Sequence, residues 1–335
     1  MSPLPQTFRT LSIGGATLDL FVRTDKKLVT KQGEVETLSL PVGAKIRVEE
    51  VIESCGGGAS NTAVGLARLG CASSFCGIVG SDKWGELLLE NMRSEGVDVS
   101  AATVTEGETT SSSIILSVGS GDRIILYTPG TNTHLHHATF DREKMEACDW
   151  IYLNHLNEES CEIGEDIHAV FDASPALGLT WNPGGCQIQK GMHEAGIARL
   201  LAHTSILLLN KEEALAFTGE STVEDSLSTL RKAGVRIVCI TDGANGSAAM
   251  EGENILHCPA LENTQILSTT GAGDAFGVGF TWAILHRFDL PRALSAGTIN
   301  SCSVLEYLGA EKGLLTDIEM TNRLQTSPLS VREIR

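Results

Sequence analysis

The chain has 335 residues, a formal net charge of −17 and 42% apolar residues, a composition typical of a globular protein. This length can hold one large α/β domain or two smaller ones, with a sizeable buried core. The strong negative charge argues against nucleic acid or an anionic membrane as a partner, because both require basic patches. The protein must therefore bind a polyanionic ligand through backbone amides, a metal ion or a few positively charged side chains.

The sequence also predicts where in the cell the protein resides. No apolar run reaches the roughly 20 residues needed to span a bilayer, and residues 1–7 lack the basic and apolar regions of a signal peptide, so we expect a cytoplasmic protein. The nine cysteines contain no C-x-x-C pair, so most should be small buried side chains in a reducing compartment. His134, His136 and His137 could suggest a metal site. No carboxylate or Cys stands at ligand spacing, which favours a solvated loop.

The first strand is expected at residues 10–13, a short apolar segment followed by Gly14 and Gly15. The turn that follows lacks G-x-G-x-x-G, so the dinucleotide-binding fingerprint is absent. Asp19 comes just after this strand, at the edge where open α/β sheets bind ligands. An exposed turn Asp is the simpler alternative.

Two segments, 20–50 and 109–128, alternate apolar and polar residues with period two, which predicts half-buried antiparallel strands. They could pair into one small sheet over the main body formed by 1–19, 51–108 and 129–335. Such a sheet is a candidate lid, and its edges could pair between subunits in a homodimer. The expected strands are residues 20–23, 36–40, 45–48, 113–118 and 123–127.

Between these two segments, three consecutive glycines at 56–58 precede a compact helical pattern that ends at Gly70. The glycines let a ligand approach the backbone closely, and Ser60 or Asn61 could cap the helix. A second helix over 83–95 has an ordinary pattern and is expected to be scaffold.

From residue 140 onward, strand and helix patterns alternate regularly. This alternation predicts an α/β fold with a doubly wound, mostly parallel sheet flanked by helices, whose strand C-termini should hold the chemistry. After residue 315 we expect one polar helix at most and then a frayed end. The expected buried strands are 150–153, 178–181, 205–209 and 235–240, and the expected helices are 163–172, 187–202, 211–217 and 223–233.

Two of these strand ends have polar groups suited to a nucleotide. Thr241, Gly243 and Gly246 offer a hydroxyl and flexible amides for phosphate oxygens, and Asn210 with Glu213 could hold a hydrated Mg²⁺. Taken singly, Glu213 is more often an exposed helix residue. The chain has no G-x-x-x-x-G-K-[ST], so ATP binding here would not use a Walker A loop.

The stretch Gly271-Ala272-Gly273 stands where a segment ending near Leu267 turns into a helical pattern. Its amides can point outward together at a helix N-terminus, which makes the turn a candidate phosphate cradle. Asp274 follows at once and could accept the proton of a hydroxyl that attacks phosphorus, kept ionised by the helix dipole. A glycine-rich turn with an Asp cap is the alternative.

Four motifs in this order resemble those of the ribokinase-like, or PfkB, carbohydrate kinases, over about residues 9–315. The resemblance implies an ATP- and Mg²⁺-dependent kinase that phosphorylates a hydroxymethyl group of a sugar or sugar-like substrate. The four motifs are Gly56-Gly57-Gly58-Ala59-Ser60-Asn61, Asn210-x-x-Glu213, Thr241-x-Gly243 and Thr270-Gly271-Ala272-Gly273-Asp274.

The resemblance also implies residue roles. Asp274 corresponds to the catalytic base, and the amides of 271–273 correspond to the anion hole. Asn300, in a helix over 291–306, lies where the family packs adenine. The residues implied for substrate hydroxyls are Asp19, Gly56, Gly57 and Asn61, and those implied for Mg²⁺ and the nucleotide phosphates are Asn210, Glu213, Thr241, Gly243 and Gly246.

Two positions depart from the family pattern. Ser268 stands where the family usually has an Asp that resembles part of a monovalent-cation site, so a potassium requirement stays open. Gly58 stands where ribose-specific members have Lys, which weakens an assignment to ribose. A nucleoside kinase of the same fold is the main alternative. A catalytically idle, ligand-binding relative is disfavoured, because a sensor would not need Asp274.

Overall fold

The computed structural model describes residues 7–23, 29–32, 35–117, 123–138, 142–156, 161, 164–262 and 264–334. The strands are β1 Arg9–Ile13, β2 Thr17–Arg23, β3 Val29–Gln32, β4 Val35–Leu38, β5 Glu50–Gly56, β6 Ala72–Cys76, β7 Ile78–Gly80, β8 Thr103–Thr105, β9 Ser112–Ser117, β10 Arg123–Thr128, β11 Trp150–Leu153, β12 Gly178–Trp181, β13 Ile206–Asn210, β14 Ile237–Thr241, β15 Ser247–Glu251, β16 Asn254–Cys258 and β17 Arg332–Ile334.

The helices are interspersed with the strands from α1 onward. They are α1 Gly58–Arg68, α2 Lys83–Ser94, α3 Arg142–Glu146, α4 Glu165–Ala173, α5 Gly185–Lys190, α6 Ala195–His203, α7 Lys211–Thr218, α8 Val223–Lys232, α9 Ala272–Leu285, α10 Leu290–Leu305 and α11 Asp317–Thr326, with short 3₁₀ helices at Gly130–His137 and Gly243–Asn245. No helix in the described ranges is long and apolar enough to cross a bilayer.

The main sheet has the strand order β17-β16-β15-β14-β13-β12-β11-β1-β6. Six neighbouring strands of this sheet run parallel, which confirms the predicted α/β fold with a mostly parallel sheet. They are β6, β1, β11, β12, β13 and β14. Three antiparallel strands, β15 to β17, extend the edge beyond β14. The expected frayed end is therefore wrong, because β17 pairs with β16.

Helices cover both faces of this sheet, because alternate residues of each buried strand point to opposite sides. In β11, Ile151 and Leu153 join a core cluster with Ile167 of α4. Trp150 and Tyr152, the residues that alternate with them, join a second cluster that includes α9 and α10. The single helix expected over 187–202 is wrong: it is interrupted at Gly191, whose φ of 81° breaks it into α5 and α6.

A second, four-stranded sheet has the order β10-β9-β2-β5. It includes residues 17–19 and 51–56, which lie outside the segments predicted to form the lid, whereas 45–48 is not a strand. Residues 24–28, 33–34 and 118–122 of the predicted lid lie outside the described ranges. A lid function for this sheet, and pairing of its edges between subunits, stay predictions.

The cysteines mostly follow the sequence interpretation. Seven are free, and five of these are buried. Cys161 and Cys186, which no sequence pattern pairs, form a disulfide. Within the described part of the chain, no group of three or more His, Cys, Asp or Glu side chains could hold a metal ion.

Candidate active site

The Gly271 turn, defined here as residues 268–274, leads into α9 through a backbone that glycine adopts easily. Gly271 caps the helix at a φ of 78°, and a Cβ there would overlap Ala310. Apart from its chain neighbours and its own helix backbone, no described atom lies within 4 Å of a Cβ placed at Gly273, so this position faces open space. The Ala272 amide already makes a long bond, 3.4 Å, to the Thr269 carbonyl. Because the first amides of a helix have no intrahelical acceptor, the amides of Gly273 and Asp274 form a turn that fits an anion.

Asp274 lies in the first turn of α9, where Asn61 donates a 2.7 Å hydrogen bond from Nδ2 to its Oδ2. Burial raises the pKa of Asp274, while the Asn61 bond and the charge of His155 act in the opposite direction. A carboxylate with a raised pKa is a stronger proton acceptor. The two residues stand 213 positions apart in the chain, and the fold alone brings them together.

The N-terminus of α1 places Asn61 beside Asp274. Gly57 caps this helix at a φ of 92° with no side-chain cap bond, and its carbonyl accepts from the Asn61 amide at 2.9 Å. Ser60 and Asn61 lie inside the first turn, so the prediction that one of them caps the helix is wrong. A Cβ on Gly57 would approach Cα of Ala16 to 2.7 Å, so the close approach of these segments requires glycine.

Asp19 is a buried residue of β2, not an exposed turn residue, and only 6% of it is exposed. Burial raises its pKa to about 6; a hydrogen bond from Ser113 opposes this shift and the charge of Glu311 adds to it. A Cβ on Gly56 would lie 2.6 Å from Oδ2 of Asp19, so glycine is needed beside this carboxylate. Asp19 and Gly56 therefore lie together at one end of the small sheet.

A pocket of about 480 Å³ lies between the end of β14 and the start of α9. Of the predicted residues, Thr241, Gly243, Gly246, Ala272 and Gly273 line it, which brings the predicted phosphate-binding strand end and the Gly271 turn to one site. Among the described residues, the lining contains one acidic residue and no lysine or arginine. The other lining residues are Ala244, Ala260, Leu261, Glu262, Thr264, Ile266, Thr269, Phe276, Thr298, Ser301, Cys302 and Leu305.

Asn210 and Glu213 lie next to this pocket without lining it. Asn210 pairs with Thr241 across β13 and β14. The two side chains form a capping box for α7: Oδ1 of Asn210 accepts from the Glu213 amide, and Oε2 of Glu213 accepts from the Asn210 amide, both at 2.8 Å. Nearby, Lys211 and Asp242 are joined by a 3.0 Å ion pair between the two strand ends.

Asn300 is buried in α10 and does not line the pocket. Its Nδ2 donates to the Ala275 carbonyl at 2.7 Å, and its Oδ1 accepts from the Leu315 amide at 3.1 Å. These bonds tie α10 to α9 and to the chain before α11. The predicted packing of Asn300 on adenine stays a prediction, and the neighbours on α10 that reach the pocket are Thr298, Ser301 and Cys302.

Sequence reasoning missed several residues of this site. His155 follows the predicted strand β11, and the position after a parallel strand was the available signal for it. Thr298 and Cys302 are one helical turn apart on α10, so they lie on the same face of the helix. The expected helix over 291–306 was the available signal for them. Glu311 gave no sequence signal, because only its contacts in the fold distinguish it from other loop acids.

A glycine turn at a helix N-terminus, a carboxylate with a raised pKa beside it and a second buried carboxylate in the small sheet are the groups that the sequence predicted for an α/β phosphotransferase. The model of the pfkB family carbohydrate kinases matches residues 24–317, so the chain belongs to this family. It is a carbohydrate kinase of the sugar and nucleoside kinase type.

Two relatives and one solved structure illustrate the similarity. Ribokinase from Bacillus subtilis is 27% identical over 316 residues, which cover 93% of this chain and 98% of the relative. Aminoimidazole riboside kinase from Salmonella typhimurium is 28% identical over 290 residues, 81% of this chain and 87% of the relative. The structure of Arabidopsis thaliana ribokinase complexed with ribose and ATP has a TM-score of 0.76 at 22% identity, covering 96% of this chain and 99% of that one.

Proposed function

We propose that this chain is an ATP-dependent kinase that transfers the γ-phosphoryl group of MgATP to a hydroxymethyl group of a sugar or sugar-like substrate, with Asp274 as the base. The observation behind this proposal is the 2.7 Å bond from Asn61 to Asp274. It joins the helix predicted to bind substrate hydroxyls to the turn predicted to bind the phosphoryl group. The acceptor hydroxyl and the phosphoryl group can then meet at one carboxylate.

The proposed reaction is one displacement. The acceptor oxygen attacks the γ-phosphorus, its proton passes to Asp274, and the bond to the β-γ bridging oxygen breaks so that ADP leaves. The amides following Gly271 stabilise the negative charge of the transferred group. Asp19 and Asn61 hold the acceptor and fix its orientation. Catalysis rests on positioning and charge stabilisation.

The oxygen donors near the pocket fit a hydrated Mg²⁺. Oε2 of Glu213 is used in the capping box, which leaves its other carboxylate oxygen to hold a water of the ion. Mg²⁺ favours oxygen ligands and usually keeps several waters. When bound, it neutralises charge on the phosphate oxygens. Asn210 and Glu213 are the residues that would hold it, and Thr241, Gly243 and Gly246 would contact the phosphates.

A nucleoside acceptor is the second candidate, because the aminoimidazole riboside kinase is as similar to this chain as the ribokinase is. ADP release from a panel of unmodified sugars and nucleosides, assayed with MgATP, distinguishes the two. An efficient reaction with only one class assigns the acceptor. If no acceptor releases ADP while ATP still binds, the idle, ligand-binding alternative is correct.

The experiment that tests the proposed base is Asp274→Asn. The variant keeps the size of the side chain, so we expect calorimetry to detect ATP binding close to that of the wild type. We expect kcat to fall by about 10³-fold or more, because the amide cannot accept the proton. A kcat within about tenfold of the wild type would remove Asp274 from the mechanism.

A further inference from the structure

Glu311 is a buried carboxylate that the proposed reaction does not use. It lies in the loop between α10 and α11, and only 6% of it is exposed. Ser60 of α1 donates to its Oε1 at 2.9 Å, and Nδ2 of Asn91 in α2 donates to its Oε2 at 2.7 Å. A buried carboxylate is costly unless hydrogen bonds hold it. Both oxygens are held, and each by a different helix.

The loop around Glu311 also contacts both sides of the candidate site. Ala310 packs on the Gly271 turn so closely that a Cβ on Gly271 would overlap it. Gly309, at a φ of 95°, leaves no room for a side chain because Ser54 of the small sheet stands there. Ser54 is the strand partner of Asp19 across β2 and β5. One short loop thus touches the phosphoryl side and the acceptor side.

Arg68, at the end of α1, anchors the loop through its backbone and without the Glu311 carboxylate. Its Nη1 donates to the carbonyls of Glu311 and Leu314 at 2.7 and 3.1 Å. Its guanidinium pairs with Glu95 at 2.7 Å, so Arg68 does not bond the Glu311 carboxylate. Burial raises the pKa of Glu311, and the bonds from Ser60 and Asn91 oppose that shift. The carboxylate therefore acts through its two hydrogen bonds.

We infer that Glu311 is a positioning residue for phosphoryl transfer. Its bond to Ser60 holds the first turn of α1, while Ala310 in the same loop holds the Gly271 turn. The distance between these two turns decides whether Asn61 reaches Asp274, because Ser60 and Asn61 are adjacent in α1. This inference rests on the proposed function only for its effect on turnover; the physical coupling of the two turns can be tested without it.

Two matched variants separate positioning from plain stability. Ser60→Ala removes the Glu311 bond to α1, and Asn91→Ala removes the bond to α2, so each costs one hydrogen bond to the same carboxylate. We expect Ser60→Ala to lower kcat by about tenfold with KM for ATP changed less than about twofold, because small misplacements at a reacting centre are expensive. We expect Asn91→Ala to leave kcat within about twofold of the wild type.

A second pair of variants tests the carboxylate itself. Glu311→Gln can keep both bonds, since the Ser60 hydroxyl can accept from the new amide while the amide oxygen accepts from Asn91. We expect Glu311→Gln to retain kcat within about threefold and Glu311→Ala to resemble Ser60→Ala. If Ser60→Ala and Asn91→Ala lower kcat equally, or if Glu311→Gln is as impaired as Glu311→Ala, the inference is wrong.

Hydrogen exchange provides a readout that does not require turnover. In Ser60→Ala we expect faster exchange at the amides of 271–275 as well as at the start of α1, because the loop couples them. In Asn91→Ala the faster exchange should stay within α2. Unchanged exchange at 271–275 in Ser60→Ala would overturn the inference even if the kinase is active. If Ser60→Ala shows faster exchange in both turns but the wild type has no kinase activity, this inference is supported and the proposed function is wrong.

Discussion

If Asp19 binds the acceptor as proposed, its buried carboxylate makes acceptor affinity depend on pH in a way that can be calculated. Burial raises its pKa from 3.8 to about 6. If the ionised form accepts the substrate hydroxyls, its fraction is about 90% at pH 7 and about 10% at pH 5. An Asp with the ordinary pKa would still be more than about 90% ionised at pH 5. We therefore expect acceptor affinity to fall about tenfold between pH 7 and pH 5.

The assay should avoid the titration of Asp274, the other carboxylate of the proposed site. Calorimetric titration of the best acceptor into Asp274→Asn measures binding without turnover and without the ionisation of Asp274. Ser113→Ala removes a bond that lowers the pKa of Asp19, so it should move the loss of affinity to higher pH. Asp19→Asn should bind more weakly and show no dependence in this range. Constant affinity from pH 5 to pH 7 in Asp274→Asn would refute the argument.

The same shift predicts a stability effect that needs no substrate. Because the folded-state pKa of Asp19 is raised, the protonated carboxyl adds stability at pH below about 4, and this stability is lost as the pH rises through about 6. Asp19→Asn lacks this dependence. Relative to the wild type, its free energy of unfolding should therefore increase by about 2 kcal/mol between pH 4 and pH 8. Urea titrations of both proteins at the two pH values measure it, and a difference of the opposite sign would contradict the assigned shift.

Three further predictions concern the turn, the pocket and the small sheet. Gly271→Ala should lose about 3 kcal/mol of unfolding free energy in urea, from its positive φ and its overlap with Ala310; the control Gly273→Ala, which faces open space, should lose less than about 1 kcal/mol. MgATP should slow alkylation of Cys302, read by peptide mass spectrometry, because this thiol lines the pocket; equal rates would place the nucleotide elsewhere. Hydrogen exchange in β2, β9 and β10 should slow when acceptor is added if the small sheet closes as a lid, and unchanged protection would leave it as plain structure.

The elements predicted well from the sequence are those whose signal is local. The buried strands β11 to β14 appear as apolar runs bounded by polar residues, and the glycine turn before α9 has its own composition. The antiparallel strands β15 to β17 were missed because their sequences have no distinct strand pattern. They form by hydrogen bonding to the strand at the neighbouring edge of the sheet. The expected cap of α1 was wrong because Gly57 is held by packing against Ala16, which no local pattern records.

The candidate site also contains features with a local sequence signal and features that depend on the tertiary fold. Thr241 and Gly243 could be found because parallel strands end at one edge of a sheet, so a strand assignment already places them. The disulfide between Cys161 and Cys186, by contrast, depends on how two separate segments meet. The bond from Asn61 to Asp274 is of this second kind too. A sequence can therefore indicate which groups are available, while the contact that defines their chemistry comes from the tertiary fold.

The shortage of cations at this site has a chemical consequence. No lysine or arginine is among the groups that shift the pKa of Asp19 or Asp274 in the described chain, and none lines the pocket. Burial therefore raises both pKa values with no lysine or arginine to oppose it; Ser113 acts against the shift at Asp19, and Asn61 and His155 act against it at Asp274. For Asp274 this strengthens the proposed base. For Asp19 the same environment predicts weaker acceptor binding as the pH falls through about 6, so the proposed base and the proposed pH-sensitive acceptor site share one physical origin.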